Sequence, residues 1–282
     1  MHEVAVIGAG TMGSGIAQVF AQAGDTVRLV ENNPQQLERG LAGIERGLKR
    51  SVEKGRLSPE QCEQVLRLVK PSLDLRDAGL AELVVEAIHE DAVAKLDVFR
   101  QLDVECSPDT VLASNTSSIS ITLLGAATGR PDRVIGMHFF NPVPVMKLVE
   151  VIRGPATSDA TYHRIESEAR RLGKEPVEVR DFPGFVSNRV LMPMINEAIF
   201  ALHEGVAGPD EIDTVMKLGM NHPMGPLELA DFIGLDVCLN ILNVLHDGFG
   251  DPKYRACPLL KQLVASGRLG RKTGRGFYEY DS

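Results

Sequence analysis

A glycine-rich turn between two apolar strands constrains this chain more than any other feature. Residues 3–31 read as strand, turn, helix, strand and acid. The run Val4–Ile7 is continuously apolar, as a strand buried on both faces of a parallel sheet must be. The turn that follows carries the spacing G-x-G-x-x-G. That spacing is common by chance, but a strand before it and a helix after it are what a dinucleotide-binding βαβ unit requires. A βαβ unit that binds nothing is the alternative.

Each glycine of the turn has its own physical task. Gly8 permits the tight turn, Gly10 lets the backbone approach a pyrophosphate, and Gly13 lets the helix pack close to the strand. The phosphates would lie at the helix N-terminus, where unpaired N–H groups and the helix dipole favour an anion. Glu31 lies 18 residues beyond Gly13, where a carboxylate accepts hydrogen bonds from the ribose hydroxyls and repels a 2'-phosphate. Since no arginine follows Glu31 directly, the sequence predicts NAD rather than NADP.

Composition restricts the partners and the compartment. The chain has 282 residues, 44% of them hydrophobic, and a formal net charge of −8. It can therefore bury one large core or two moderate ones, and its acidic balance argues against general binding to nucleic acid or a membrane surface. We find no basic leader and no apolar run long enough for a membrane span, so we expect neither a secretory signal nor a transmembrane helix. Four scattered cysteines form no C-x-x-C pair, which predicts a cytoplasmic protein without disulfides or a metal site.

Strands and helices alternate through the first two thirds of the chain. Apolar residues at helical spacing predict a helix from Pro34 to Lys54, and a capping box at Ser58 predicts another through about Val69. Further helical stretches at 91–104 and 159–172 separate short apolar runs at 83–85, 111–113, 134–137, 148–152 and 177–179. This alternation predicts an α/β fold with a Rossmann-like, doubly wound sheet.

The pattern changes at the segment 181–184, Asp-Phe-Pro-Gly. Beyond it, helical signals cover residues 185–203, 209–218, 226–245 and 257–265, with a possible extended end at 277–280. We therefore predict an NAD-binding domain over residues 1–183 and an all-helical C-terminal domain over residues 184–282. The basic, glycine-rich segment 267–276 is interpreted as a solvated surface loop.

Two residues have the pattern of an acid–base pair. His138 ends a predicted strand, and Glu150 lies in the next apolar run. Open α/β sheets bind ligands at the carboxyl ends of their strands, so His138 is expected beside the nicotinamide, where it would take the hydroxyl proton as the hydride leaves the same carbon. A carboxylate on its other ring nitrogen would fix the tautomer and stabilise the imidazolium. An ordinary buried or surface histidine is the alternative.

A polar cluster, Ser114-Asn-Thr-Ser-Ser118, follows the predicted strand at 111–113. Its hydroxyl and amide groups would line the cofactor crevice at the end of that strand. The same residue types cap helices, and a helix is predicted to begin near Ile119. The residues alone favour neither interpretation.

A series of motifs runs through the whole chain in order: Gly8-Ala-Gly-Thr-Met-Gly13, Val85-Glu-Ala-Ile88, Ser114-Asn-Thr-Ser117, Gly136-Met-His-Phe-Phe-Asn-Pro-Val-Pro144, Pro183-Gly-Phe-Val-Ser-Asn-Arg189, Asn221-His-Pro-Met-Gly-Pro226 and Gly270-Arg-Lys-Thr-Gly-Arg-Gly276. Together they resemble the L-3-hydroxyacyl-CoA dehydrogenases, and among these the compact bacterial 3-hydroxybutyryl-CoA dehydrogenases. The resemblance implies NAD-dependent interconversion of (S)-3-hydroxyacyl-CoA and 3-ketoacyl-CoA, with a short-chain substrate, in fatty-acid β-oxidation or butanoate metabolism.

The resemblance also implies roles for individual residues. His138 would be the general base toward the 3-hydroxyl, with Glu150 as its partner. Ser117 and Asn188 would hold the substrate oxygens, and Ser117 would also contact the cofactor. The other implied cofactor contacts are Gly8, Gly10, Thr11, Met12, Gly13, Glu31, Glu90, Lys95 and Asn141. The family also implies a homodimer through the helical domain, whose apolar segments 190–195 and 235–245 could equally be internal core.

A basic stripe marks the first long helix, where Arg46, Arg50 and Lys54 fall four residues apart. Such a stripe is usually a solvated helix face, but in the family this helix contacts the CoA phosphates. Arg50 and Lys54 are therefore the implied CoA contacts, with Arg50 standing where lysine is often seen. Glu31 is a second departure, because aspartate is commoner there; the longer acid keeps the selectivity for NAD.

Two other functions stay open at this stage. One is a related two-domain dehydrogenase of a free hydroxy acid or sugar acid, such as the gulonate dehydrogenase and lambda-crystallin relatives. The other is a non-catalytic dinucleotide sensor that binds a partner through its helical domain. The pair His138 and Glu150 argues against the sensor, which would need neither residue, and the basic stripe favours CoA over a free acid.

Overall fold

The computed structural model describes residues 2–280 and divides the chain into two compact units. The division falls between Asp181 and Phe182, two residues before the predicted boundary. The first unit contains an eight-stranded sheet with flanking helices, and the second is built from helices. The predicted fold class, a Rossmann-like doubly wound sheet followed by a helical domain, is confirmed.

The first unit alternates strands and helices. Its strands are β1 (Glu3–Ile7), β2 (Thr26–Val30), β3 (Val69–Ser72), β4 (Leu83–Glu86), β5 (Val111–Ser114), β6 (Val134–Phe139), β7 (Leu148–Arg153) and β8 (Glu175–Arg180). Its helices are α1 (Thr11–Gln22), α2 (Pro34–Glu53), α3 (Pro59–Leu68), α4 (Ala92–Glu105), α5 (Ile121–Ala126) and α6 (Asp159–Arg171).

The order of the strands positions a ligand site. The sheet runs β3-β2-β1-β4-β5-β6-β7-β8, and neighbouring strands are parallel except β6 and β7, which are antiparallel. The chain thus builds outward from β1 to β3 and then returns to the other side of β1. Open α/β sheets bind ligands at the carboxyl ends of the strands where the order reverses in this way. The glycine-rich turn directly follows β1 and lies at that point.

Apolar runs become buried strands, as the sequence predicts. Every residue of β4, β5 and β6 is buried, which is the pattern of strands covered on both faces. Helix α2 buries Leu37, Ile44 and Leu48 on one face and leaves its charged residues exposed. Each such aliphatic side chain stabilises the fold by about 1.5–3 kcal/mol.

The helix predicted after Ser58 forms, but the strand that follows it was not predicted. The capping box forms as expected, with the Ser58 hydroxyl accepting from the Gln61 amide and the Gln61 side chain accepting from the Ser58 amide. Helix α3 then ends at Leu68, and Val69 begins β3, where it pairs with Val27. Pro71 obscures this strand in the sequence because proline has no N–H; it is tolerated because β3 is an edge strand.

The second unit packs its helices around an apolar core. The helices are α7 (Ser187–His203), α8 (Pro209–Thr214), α9 (Pro226–Ile233), α10 (Leu235–Phe249) and α11 (Pro258–Ala265). Ile195, Leu235, Leu242 and Leu245 are all fully buried in this core. The predicted apolar segments 190–195 and 235–245 therefore contribute substantially to internal packing.

The single helix predicted over residues 226–245 is wrong. Two helices form instead, α9 and α10, because Gly234 between them has φ +106°, a conformation that glycine adopts readily and other residues do not. Among residues 2–280, no single helix is long and apolar enough to span a membrane. Helices α9 and α10 meet that test of length and composition only jointly, as a pair bent by 98°.

The basic, glycine-rich segment 267–276 is only partly the solvated loop that the sequence suggests, because Arg271, Lys272 and Arg275 are exposed but Gly270 and Gly276 are buried. It folds around Asp231, which is 1% exposed and accepts hydrogen bonds from the backbone amides of Phe277 and Tyr278, each at 3.0 Å. A Cβ atom at Gly276 would overlap the Asp231 carboxylate. Gly270 and Gly276 are therefore needed for close packing against Asp231. The predicted extended end is limited to an isolated bridge between Arg275 and Glu279.

Candidate active site

The glycine-rich turn has the shape of a phosphate cradle. Gly8 has φ +104°, and a Cβ there would lie 2.6 Å from the carbonyl oxygen of Ala87; a Cβ at Gly13 would overlap the carbonyl oxygen of Gly8. Both glycines are thus required by the protein's own packing. A Cβ at Gly10, by contrast, would meet no atom of the described protein within 4 Å. Glycine at this position is therefore explained by space kept open beside the N-terminus of α1, where a pyrophosphate binds in this type of fold.

Glu31 lies beside this turn. One of its carboxylate oxygens accepts a hydrogen bond from the Ala9 amide at 3.0 Å, and the other accepts from the Asn33 amide at 3.1 Å. These bonds hold a negative charge at the end of β2, where the adenosine ribose lies in a dinucleotide-binding fold. The turn and Glu31 together fit NAD, and they oppose the 2'-phosphate of NADP.

Thr11 and Met12 complete the predicted turn. Thr11 begins α1 and is exposed, whereas Met12 is half-buried and packs against the core of the first unit. Thr11 therefore presents its side chain to the open space, and Met12 contributes mainly to packing.

His138 and Glu150 form a buried histidine–carboxylate pair in the first unit. They are direct cross-strand partners in the antiparallel ladder of β6 and β7, and His138 Nδ1 lies 2.8 Å from Glu150 Oε2. The residues are 8% and 2% exposed. Because a carboxylate can only accept a hydrogen bond, Nδ1 of His138 carries a proton and donates the hydrogen bond to Glu150. The ring of Phe140 lies 4.7 Å from the imidazole ring, centroid to centroid.

The polar cluster 114–118 binds Glu90 and does not cap the next helix. Glu90 Oε1 accepts from the Thr116 hydroxyl at 2.5 Å, the Ser117 amide at 2.9 Å and the Ser118 amide at 3.1 Å. Helix α5 is capped by Ser120 instead. Burial by itself would raise the pKa of Glu90, but the Lys95 charge and these hydrogen bonds outweigh it, so the pKa of Glu90 is lowered from its usual value.

Lys95 is buried, with 1% of its surface exposed. Its ammonium group lies 2.5 Å from Glu86 Oε1 and 3.3 Å from Glu90 Oε2. Glu86 is the residue of this region that the sequence analysis missed. A single acid closing the apolar run of β4 is the signal that could have revealed it, because a fully buried carboxylate needs partners.

The remaining predicted site residues lie on other segments of the chain. Asn141 is exposed in the segment 140–147 that joins β6 to β7, and Asn188 is buried near the start of α7 in the second unit. Arg46 and Arg50 on α2, and Lys54 at its C-cap, are exposed, and none of the three forms an ion pair within the part of the chain that the structure describes. Over the same part, no group of three or more His, Cys, Asp or Glu residues is arranged to hold a metal ion.

Known proteins resemble this chain over its whole length. The family model for the NAD binding domain of 3-hydroxyacyl-CoA dehydrogenase matches residues 3–182, and the model for the C-terminal domain of the same family matches residues 184–280. A probable 3-hydroxybutyryl-CoA dehydrogenase of Bacillus subtilis is 58% identical over 281 residues, covering 100% of this chain and 98% of that protein. The human mitochondrial hydroxyacyl-coenzyme A dehydrogenase is 44% identical over 287 residues, covering 99% of this chain and 91% of that protein.

A solved structure agrees with the sequence comparisons. The crystal structure of (S)-3-hydroxybutyryl-CoA dehydrogenase from Ralstonia eutropha superimposes with a TM-score of 0.97 at 48% identity, covering 100% of both chains. The match to the family's NAD-binding domain agrees with the phosphate cradle and Glu31, so NAD is the cofactor. The chain is an NAD-dependent oxidoreductase and belongs to the 3-hydroxyacyl-CoA dehydrogenase family.

Proposed function

We propose that this enzyme interconverts (S)-3-hydroxyacyl-CoA and 3-ketoacyl-CoA, with 3-hydroxybutyryl-CoA as its substrate, in fatty-acid or butanoate metabolism in the cytoplasm. The observation that carries the chemistry is the contact between His138 and Glu150, a tautomer-fixing pair at the carboxyl end of β6. The choice of substrate is supported by the names of relatives that match the full chain at 58% and 48% identity.

The proposed mechanism assigns the proton to His138. Bound NAD supplies the hydride acceptor for C3 of the substrate. His138 keeps its proton on Nδ1 and donates a hydrogen bond from it to Glu150, so Nε2 is the nitrogen that would take the proton from the 3-hydroxyl. The ring then carries a positive charge, which the buried Glu150 carboxylate stabilises at short range. In the reverse direction, the imidazolium returns the proton to the oxygen that forms at C3.

Other residues are proposed to hold the substrate and the cofactor. Ser117 and Asn188 would donate hydrogen bonds to the substrate oxygens, as the family resemblance implies. Ser117 is half-buried, and its amide is held by Glu90, so its position is set by the loop that follows β5. Asn141 and Glu90 are proposed to contact the cofactor. Lys95, whose ammonium group lies beside the Glu90 carboxylate, is a further proposed cofactor contact.

The basic stripe on α2 is the proposed contact for CoA. Arg46, Arg50 and Lys54 present three positive charges on one exposed face, and CoA carries phosphates that such charges attract. A free hydroxy acid carries no phosphate, so its binding would not be strengthened by this stripe. The observation favours an acyl-CoA over a free acid.

A homodimer through the helical unit is also proposed. Val190, Leu218 and Phe232 are 67%, 82% and 59% exposed in this unit, and exposed apolar side chains of this size are typical of surfaces that a second copy covers. Light scattering at micromolar concentration tests the proposal. A dimeric mass is expected, and a monomeric mass would refute it.

One assay tests the proposed function as a whole. NADH consumption is measured in parallel with acetoacetyl-CoA, with longer 3-ketoacyl-CoAs and with free acetoacetate. We expect the highest kcat/KM with acetoacetyl-CoA and a much lower value with the free acid. Equal turnover of free acetoacetate would support the free-acid dehydrogenase instead, and NADH binding without turnover of any substrate would support the sensor.

A further inference from the structure

Five side chains at the carboxyl ends of β4 and β5 form a closed ring of polar contacts. Glu86 contacts Lys95, Lys95 contacts Glu90, Glu90 accepts from Thr116, the Thr116 amide donates to Ser114, and Ser114 donates to Glu86. The ring joins the loop after β4 to the loop after β5. It therefore couples the two loops that carry Glu90 and Ser117.

Glu86 is the buried anchor of this ring. It is 0% exposed, and both of its oxygens are used. Oε1 accepts from the Lys95 ammonium at 2.5 Å and from the Ile88 amide at 2.7 Å, while Oε2 accepts from the Ser114 hydroxyl at 2.6 Å. Because the Glu86 carboxylate has no exposed surface, any effect that it has on a ligand must pass through the residues that it contacts.

Lys95 connects Glu86 to Glu90. Its ammonium group bridges the two carboxylates and also donates to the Ile88 carbonyl at 3.3 Å. Glu90, the outer member of the pair, keeps 31% of its side chain exposed. The lowered pKa of Glu90 agrees with this arrangement, because the Lys95 charge favours the ionised carboxylate.

Stability alone does not account for such a ring. A buried ion pair is often no more stabilising than an apolar pair of the same size, because both charges must be removed from water. Buried polar networks do fix one arrangement of the groups they connect. We propose that Glu86 is a positioning residue for the cofactor site: through Lys95 and Ser114 it holds Glu90 and the 115–118 loop in the geometry that binds the nicotinamide half of NAD. This inference rests on the proposed function for the role of Glu90 and Ser117.

The test uses Glu86→Gln, which keeps the side-chain shape and one acceptor oxygen and leaves Lys95 in contact with Glu90. Lys95 is kept because it is itself a proposed cofactor contact, so its removal would weaken NADH binding whatever Glu86 does. NADH affinity is measured by fluorescence without a second substrate, and thermal stability is measured in parallel. Asp25→Asn is the matched control: Asp25 is 1% exposed and pairs with Arg171, at the opposite end of the strands from the glycine-rich turn.

The expected result separates positioning from stability. Glu86→Gln should weaken NADH binding roughly tenfold or more, since small misplacements of binding groups have effects of this order, whereas Asp25→Asn should lose thermal stability and keep its NADH affinity. Wild-type NADH affinity in folded Glu86→Gln would overturn the inference. Should Glu86→Gln not fold, Ser114→Ala decides, because it opens the ring and leaves the ion pair intact: weaker NADH binding supports the inference, and unchanged binding overturns it.

Failure of this inference and failure of the proposed function are distinguishable. The NADH measurement needs no acyl-CoA, so it reports on Glu86 even if wild-type enzyme does not turn over acetoacetyl-CoA. Conversely, wild-type turnover together with unchanged NADH affinity in the variants would leave the proposed function in place and remove only the role of Glu86.

Discussion

His138 and Glu150 contact each other because they are opposite residues of an antiparallel strand pair. Their register brings Nδ1 to 2.8 Å from Oε2, although twelve residues separate them along the chain. Directly opposite side chains share one face of a sheet. A slip of one residue would move Glu150 to the other face, so the ladder of β6 and β7 specifies the pair. The reversal of direction at the segment 140–147 is therefore what places the two side chains opposite each other.

Cofactor choice should depend on the charge of Glu31. We predict a strong preference for NADH, because an NADPH 2'-phosphate beside this carboxylate faces a like-charge repulsion of about several kcal/mol. Glu31→Ala should narrow the gap in kcat/KM between the two cofactors. Glu31→Gln is the control matched in shape, since it removes the charge and keeps an acceptor for one of the two backbone amides that bind Glu31. Comparable kcat/KM values for NADH and NADPH in the wild-type enzyme would contradict the assignment.

Much of the nucleotide-binding half could be predicted because its signals are local. Gly8, Gly13 and Glu31 lie within one βαβ unit. The two glycines meet steric requirements of the backbone, and Glu31 has the spacing expected of an acid that binds the ribose. His138 could be proposed for a similar reason, since it directly follows the apolar run 134–137. Resemblance to a family then supplied what one residue could not, the identity of the substrate class.

Other features could not be predicted because they depend on distant partners. Gly234 interrupts a continuous helical pattern, and a glycine inside such a pattern is tolerated often enough that the break is not evident. Glu86 gains its importance from Lys95 and Ser114, which come from the next helix and the next strand. The packing of segment 267–276 depends on Asp231, more than thirty residues earlier.

CoA affinity should depend on Lys54. Lys54→Ala is predicted to raise KM for acetoacetyl-CoA, more at low salt than at high salt, with little change in kcat, because a remote phosphate contact is equal in the ground and transition states. Lys49→Ala is the control, since Lys49 is on the same helix but pairs with Glu45. An unchanged KM for acetoacetyl-CoA in Lys54→Ala at low ionic strength would indicate that the stripe is a solvated helix face that does not bind CoA.

The stability contributed by Glu90 should depend on pH. Its pKa is lowered below the usual 4.5 in the folded protein, so its contribution is fully present above that value and is lost as the pH falls through the folded pKa. Thr116→Val removes one donor to the carboxylate without changing the side-chain shape. The difference in unfolding free energy between wild type and Thr116→Val should therefore be largest near neutral pH and shrink in acid. A difference that is constant over this range, measured by urea unfolding, would contradict the prediction.

The central claim is that His138 and Glu150 act as one proton-transfer unit. His138→Gln should keep the fold and NADH binding while lowering kcat roughly 10²- to 10⁴-fold, the usual range for a positioned acid–base group. Glu150→Gln keeps the side-chain shape and removes the charge that stabilises the imidazolium, so it should also lower kcat.

The double-mutant cycle in kcat for these two substitutions is the most direct measurement. Residues that act as a unit are not additive in their effects, so the double variant should lose far less activity than the product of the two single losses. Losses that multiply would show that Glu150 acts independently of His138, and near-normal turnover in His138→Gln would contradict the mechanism itself.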